Sequence, residues 1–179
     1  MTAFVFGGIV GGAALGGGLG WLGAVARTRF GWTAAASLVA LAAIAILGAA
    51  FDLRLLPVAL PGVHRQVDER WLQRYRGWVY GLGFGFQLGF GVLTIVVSSA
   101  IYTAFAAAFL SGSVLRGAVI GAAFGLFRTA IVFVVAEVRR PDQLVAVDRR
   151  LRRLDGPSRR ASIALEIGLA AVALAVVLL

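Results

Sequence analysis

An uncharged stretch between Arg76 and Arg116 constrains the fold of this chain more than any other feature. Its apolar part, residues 78–110, would form a straight helix roughly 50 Å long at about 1.5 Å per residue. A helix that crosses a ~30 Å hydrocarbon core needs only about 20 residues. The stretch is too long for one straight crossing, so it predicts a span that is tilted, bent or broken.

Glycines concentrate in the first half of this stretch, and they favour a break in the helix. Gly85, Gly89 and Gly91 each remove a side chain and loosen the backbone close to the amide of Gln87. Backbone freed from helical hydrogen bonds inside a membrane must face protein or water, so such breaks commonly lie at pathways or binding sites. The alternative is a long tilted helix whose glycines only permit close packing, and the sequence does not choose between the two.

The composition predicts an all-α integral membrane protein. The 179 residues allow one domain, and 60% of them are hydrophobic, with a mean hydropathy of +0.93. These values exclude an ordinary soluble domain. The chain has no cysteine, so it cannot itself supply disulfides, thiolate metal sites or dithiol redox chemistry, and its one histidine, His64, forms no imidazole cluster. We therefore expect neither a metal nor a cofactor.

Hydropathy divides the chain into about five transmembrane helices, of which the third is long and interrupted by glycine. Their approximate bounds are residues 3–26, 32–51, 78–110, 116–138 and 161–179. Residues 64–78 and 144–154 place apolar side chains on one helical face among charged residues, which predicts two interfacial amphipathic helices. We expect Gly156 and Pro157 to end the second of these helices.

Glycines recur at every fourth residue in two of the predicted spans. The residues concerned are Gly8, Gly12, Gly16 and Gly20 in the first span, and Gly117, Gly121 and Gly125 in the fourth. Such a repeat makes one helical face nearly flat, so that another helix can approach closely. Both spans are therefore expected to pack tightly against neighbours.

Arginines are distributed unevenly, and their distribution predicts the orientation. Five lie between residues 52 and 77 and eight between residues 139 and 160, whereas Arg27, Arg29 and Arg116 would lie on the opposite side. By the positive-inside rule the two arginine-rich loops are cytoplasmic, with the N-terminus inside and the C-terminus outside the cytoplasmic (inner) membrane. Two crossings by the long stretch would move the eight arginines outside, so we expect it to cross once.

All 17 basic residues are arginines, and they flank apolar segments rather than forming one face that could follow a nucleic acid. Guanidinium groups pair bidentately with phosphate. The expected counter-charge is therefore the headgroups of anionic membrane lipids, and no nucleic-acid partner is expected.

Arg128 and Glu166 are the charges that fall well inside predicted spans. A charge at that depth costs at least ~2.5 kcal/mol, so each should face protein or a wet cavity. Opposite signs suggest that the two side chains pair. Such a pair could be structural or could belong to an ion pathway, and the sequence leaves both interpretations open.

Polar side chains also follow the long predicted span. They are Gln87, Thr94, Ser98, Ser99, Tyr102 and Thr103. Of these, Ser98 and Tyr102 share a helical face, with Thr94 one turn earlier, so a hydrogen-bonding track along one side is feasible. Hydrogen bonds between helices would explain the same pattern.

The order of the segments resembles that of a known family. The likeness is carried by LGAAFDLRLLP in the second span, YGLGFGFQLGFGVLTIV in the third and SGSVLRGAVIGAAFGLFRTAIVFVVA in the fourth. These stretches resemble the transmembrane domain of the cytochrome c biogenesis protein CcdA and of DsbD-type thiol-disulfide electron transporters. The resemblance implies two inverted three-helix repeats, each with a first helix broken around a Pro-Cys pair.

The chain departs from that family at the positions that carry electrons. It matches from the family's second helix onward, and Phe90 and Gly91 stand about where the second Pro-Cys pair would be. No redox residue of the family can be carried over. The resemblance therefore implies a scaffold able to break and move a helix, without the thiols.

Three functions remain open. The first is a transporter-like protein that moves a small polar solute or ion along the polar track. The second is a non-catalytic membrane subunit or assembly factor whose glycine faces dock a partner protein or a second copy, as the missing leading helix would allow. The third is a thiol-disulfide protein that relies on a partner's cysteines. No catalytic triad, metal-ligand set or phosphate loop occurs, so we expect no enzyme activity.

Overall fold

The structure, a computed structural model, describes residues 2–55, 77–90, 99–133 and 141–179. These residues form six helices and no strand: α1 (Thr2–Phe30), α2 (Ala34–Asp52), α3 (Gly77–Phe90), α4 (Ala100–Leu110), α5 (Val114–Phe133) and α6 (Pro141–Leu178). The predicted all-α class is confirmed. Within these described ranges, three stretches have the length and apolar composition to cross a membrane, namely Thr2–Phe30, Ala34–Asp52 and Gly156–Leu178.

A tight turn ends α1 and leads into α2. Gly31 has a φ of +67°, a left-handed conformation that glycine adopts without steric cost, and its N–H donates to the carbonyl of Arg27 at 2.9 Å. Thr33 then caps α2, because its hydroxyl oxygen accepts a hydrogen bond from the N–H of Ala36 at 3.1 Å. The connection between the two helices is therefore short, although within the described residues α1 and α2 do not pack on each other.

Glycines of α1 contact three neighbouring helices, α3, α4 and α5. A side chain at Gly12 would run into the carbonyl oxygen of Gly121 and lie 2.9 Å from its carbonyl carbon, and Gly16 meets Gly117 in the same way. Residue numbers increase along α1 as those of the contacting residues in α5 decrease, so the two helices are antiparallel. The close packing predicted from the glycine repeats is confirmed.

The glycines on the adjacent face of α1 contact α3 instead. Gly7 packs on the backbone of Leu82, and Gly11 on that of Phe86, so α1 and α3 run parallel. In return, Gly85 packs on Phe4, and Gly89 packs on Gly8.

Gly85 and Gly89 therefore do not break the helix, contrary to the prediction from the sequence. Helix α3 continues through both residues, and each permits contact with α1. Gly91, the third predicted break position, lies outside the described residues.

The long predicted span is represented by α3 and α4, which together extend along α1. Leu82 lies beside Gly7 near one end of α1, and Phe109 lies beside Gly23 near the other. Along α1 those positions are about 24 Å apart, whereas 27 residues in one straight helix would cover roughly 40 Å. Leu82 and Phe109 are thus closer together along α1 than one straight helix of that length would place them.

Helices α2 and α6 form a second, small-residue interface. Its core consists of Ala42, Ala45, Ala170 and Ala173, with Leu38 and Leu169 packed against it. Small side chains allow these two helices to approach closely, as the glycines do for α1.

The prediction that Gly156 and Pro157 end a helix is wrong, because α6 runs through both residues. Proline removes one N–H and crowds the carbonyl four residues earlier, which belongs to Arg153. Arg153 is exposed, so that carbonyl can bond to water instead. The second predicted interfacial helix and the last predicted span are consequently one helix. Residues 64–76 of the first interfacial helix lie outside the described residues.

Candidate functional site

Four polar side chains from three parts of the bundle converge in its interior. They are Asp52 at the end of α2, Ser99 and Thr103 at the start of α4, and Glu166 in α6. All four are buried, with Glu166 fully inaccessible and Asp52 the most exposed at 8%. We call these four residues the carboxylate cluster.

Glu166 accepts two hydrogen bonds through the same oxygen. The Ser99 hydroxyl donates to Glu166 Oε1 at 2.8 Å, and the Thr103 hydroxyl donates to it at 3.0 Å. The backbone N–H of Ser99 donates to Asp52 Oδ1 at 3.2 Å. Ser99 therefore contacts both carboxylates.

The start of α4 helps to explain why two acidic residues gather here. The first N–H groups of a helix have no partner within it, and its N-terminal end carries a partial positive charge. Ser99 precedes α4 directly, and its own side chain does not cap the helix. Asp52 takes that role from a distant part of the chain, because it accepts the N–H of Ser99.

A glycine in α2 makes room for Glu166. A side chain at Gly48 would run into Glu166 Oε1 and lie 3.2 Å from the Ser99 hydroxyl oxygen. Ala45, Gly48 and Asp52 lie on one face of α2 by their spacing. Along the face of α2 that packs on α6, two small residues are therefore followed by an acidic one.

The second carboxylate oxygen of Glu166, Oε2, is buried and accepts no hydrogen bond from the described residues. Buried polar atoms without a partner are rare in folded proteins. Along α6, Glu166 is about 15 Å from Gly156 and about 18 Å from Leu178, the ends of the stretch able to cross a membrane. This oxygen therefore lies near the middle of that stretch.

Arg128 does not lie in this cluster. Its guanidinium carbon is 5.5 Å from the centroid of the Phe124 ring, in a cation–π contact within α5. Within the described ranges, α5 and α6 do not pack on each other. Glu166 has hydroxyl donors where the sequence analysis expected a guanidinium.

The polar track is described only in part. Thr94 and Ser98 lie outside the described residues. Gln87 on α3 and Tyr102 on α4 are half-buried, and neither is among the groups that donate to Glu166. The structure brings Ser99 and Thr103, on the neighbouring face of α4, to the carboxylate.

Asp52 and Gly48 are members of the site that the sequence analysis did not select. Asp52 directly follows an apolar run, where an acid normally marks the end of a span. The available signal was its spacing from Ala45 and Gly48, which places an acid on a small-residue face.

Comparison with known proteins gives a partial likeness. No family model matches the chain, and no solved structure matches it. The chain is 36% identical over 110 residues to Methylamine utilization protein MauF of Paracoccus versutus. The aligned stretch covers 62% of this chain and 40% of that protein. The chain therefore spans less than half the length of this relative.

Proposed function

We propose that this chain is a small polytopic membrane protein that moves a proton or another small cation, on a scaffold like that of CcdA and DsbD. The observation that carries the proposal is Glu166, a fully buried carboxylate with one oxygen that no described residue bonds. Three helices able to cross a membrane are compatible with a membrane location.

The donors around Glu166 are neutral, which is why a cation is the expected ligand. Hydroxyl groups satisfy hydrogen-bonding capacity, but they do not cancel a full negative charge in a low-dielectric interior. A carboxylate buried in this way is neutralised by taking up a proton or by binding a cation. Asp52, a second carboxylate bonded to the same serine, adds to the negative potential.

The hydroxyls are suited to a site whose charge changes. A hydroxyl both donates and accepts, so Ser99 and Thr103 can reorient when Glu166 gains or loses a proton. Ionisable residues near the middle of a membrane helix are costly and generally mark ion or proton pathways. A purely structural role would be met at lower cost by an apolar residue.

Flux into liposomes tests this proposal. The purified full-length chain is reconstituted with a pH-sensitive or cation-sensitive dye inside, and a membrane potential is imposed. We expect flux of protons, Na⁺ or K⁺ above that of protein-free liposomes, and we expect Glu166→Gln to abolish it. Asp148→Asn, which makes the same chemical change in the arginine-rich half of α6, serves as the control and should retain the flux.

Two results would overturn the transport proposal. One is the absence of flux for all three cations with the unmodified chain. The other is flux through Glu166→Gln equal to that of the unmodified chain.

A second candidate function rests on the partial likeness to MauF. We propose as the alternative that the chain is an accessory membrane component for the use of methylamine or a related amine. The supporting observation is the 36% identity over 110 residues. The exposed apolar side chains of α1 and α6, such as Trp21 and Val172, provide surface that a partner helix could cover.

Growth distinguishes this alternative from a general cation transporter. Deletion of the gene in its host should abolish growth on methylamine and leave growth on a non-amine carbon source intact. Restoration by the unmodified gene and equally by Glu166→Gln would favour the accessory role over transport. Unchanged growth of the deletion strain on methylamine would exclude it.

A further inference from the structure

An open groove of about 670 Å³ lies between α2, α4 and α5, and Leu169 of α6 also lines it. Its sides are apolar, and the residues that form them include Leu38, Leu41, Leu110, Val119 and Ile120. The volume falls within the range of about 300–1,000 Å³ that is typical of ligand sites. The groove is separate from the carboxylate cluster, none of whose residues lines it.

One end of the groove is polar. Ser37, Ser111 and Arg116 line it, and they lie respectively near the start of α2, at the end of α4 and near the start of α5. Close to these residues, the ring of Trp32, just before α2, contacts that of Phe109, with ring centroids 6.1 Å apart, so the start of α2 lies near the end of α4. Polar lining is thus confined to one end, and hydrocarbon lines the rest.

Arg116 is the group at that end able to bind an anion. The Ser111 hydroxyl donates to the carbonyl of Ala108 at 2.7 Å, and the Ser37 hydroxyl donates to that of Thr33 at 3.3 Å, so both donors are occupied. Arg116 is exposed and has no carboxylate partner among the described residues. It is also in the first turn of α5, where the helix dipole favours a negative charge.

We infer that this groove holds an acyl chain of an anionic phospholipid whose phosphate binds Arg116. The apolar sides suit hydrocarbon, and the charged end suits a phosphate that guanidinium can hold bidentately. A lipid combines both chemistries in the order found along the groove. Two of the lining residues, Leu115 and Val119, are exposed, so hydrocarbon outside the protein can reach the groove.

Native mass spectrometry of the full-length chain in mild detergent tests this inference. Phosphatidylglycerol and phosphatidylcholine with identical acyl chains are titrated separately, and glycerol phosphate serves as the headgroup-only probe. We expect phosphatidylglycerol to bind more tightly than phosphatidylcholine, and glycerol phosphate not to bind. Arg116→Gln should weaken phosphatidylglycerol binding about fivefold, the contribution typical of one arginine near a charged membrane surface.

Two further variants separate the headgroup from the acyl chain. Val119→Trp adds bulk to the groove and should weaken both lipids equally. Arg159→Gln, an exposed arginine on α6 that does not line the groove, should behave as the unmodified chain does.

Three results would overturn the inference. The first is equal binding of the two lipids by the unmodified chain. The second is unchanged phosphatidylglycerol binding by Arg116→Gln. The third is a dimer of the unmodified chain that Val119→Trp dissociates, which would assign the groove to a second copy.

Discussion

Glu166 accepts hydrogen bonds from two hydroxyls, that of Ser99, which directly precedes α4, and that of Thr103 in its first turn. Ser99 and Thr103 are four residues apart, so their side chains lie one above the other and meet a single oxygen. Gly48 in α2 leaves space for that oxygen on the opposite side. The site thus consists of hydroxyl donors at the start of α4 and a glycine of α2 that leaves room for the carboxylate.

Thr103→Val should destabilise the protein by about 1–3 kcal/mol. Valine keeps the shape of threonine but leaves a buried carboxylate with one hydroxyl donor in place of two, and lost hydrogen bonds to charged groups have costs of this size. Reversible unfolding in detergent micelles gives the measurement. Thr28→Val is the control, because Thr28 is exposed and bonds only to the carbonyl of Val25 at 2.8 Å. It should change stability by no more than about 0.5 kcal/mol, and an equal effect of both substitutions would contradict the role of Thr103.

The sequence could not determine which hydroxyls donate to Glu166. Ser98 and Tyr102 are four residues apart, and so are Ser99 and Thr103, so the spacing supports two adjacent faces equally. Which face meets Glu166 depends on the rotation of α4 about its axis. That rotation is fixed by contacts with other helices, such as that of Phe109 with Gly23 on α1.

Among the helices, the main feature is close contact between backbones at glycine positions. Periodic glycines on α1 and α5 predicted two flat faces, and the structure pairs them with each other. The spacing could not reveal that α1 uses a second glycine face, Gly7 and Gly11, against α3. Nor could it show that α6 continues through Pro157, because the cost of an internal proline depends on whether the crowded carbonyl reaches solvent.

Gly121→Leu should destabilise the protein by about 1–3 kcal/mol or more, the usual cost of overpacking. A side chain at Gly121 would run into the carbonyl oxygen of Gly12 and separate α1 from α5. Ala123→Leu, two residues further along α5 at an exposed position, is the matched control and should have little effect. Thermal unfolding in detergent measures both. Similar losses of stability would show that α1 and α5 do not depend on close contact at Gly121.

At the scale of the whole molecule, two small-residue interfaces divide the described helices. Glycines join α1 to α3 and α5, and alanines join α2 to α6. Helix α4 contacts helices of both groups, and its first turn carries the hydroxyls that bind Glu166. The carboxylate cluster is formed by α2, α6 and the start of α4, so movement of α4 relative to α2 and α6 would change its surroundings.

The arginine distribution predicts that residues 139–160 face the cytoplasm. Because the chain has no cysteine, Arg150→Cys introduces a single thiol. A membrane-impermeant thiol reagent should label this cysteine in inside-out vesicles and not in intact cells. Leu179→Cys, at the predicted outer end, should give the opposite pattern. Labelling of the cysteine at position 150 in intact cells would reverse the orientation.

On the proposed function, Glu166 takes up a proton or a small cation while it is buried among helices in the membrane. A hydrophobic carbodiimide tests this uptake, because it reacts with protonated carboxyl groups in apolar surroundings. The protein is labelled in native membranes, and mass spectrometry then locates the modified residue. We predict modification at Glu166 and not at Asp148, with modification that decreases as pH rises or as a bound cation displaces the proton. Absence of modification at acidic, neutral and alkaline pH, or modification that neither pH nor any cation changes, would contradict the claim.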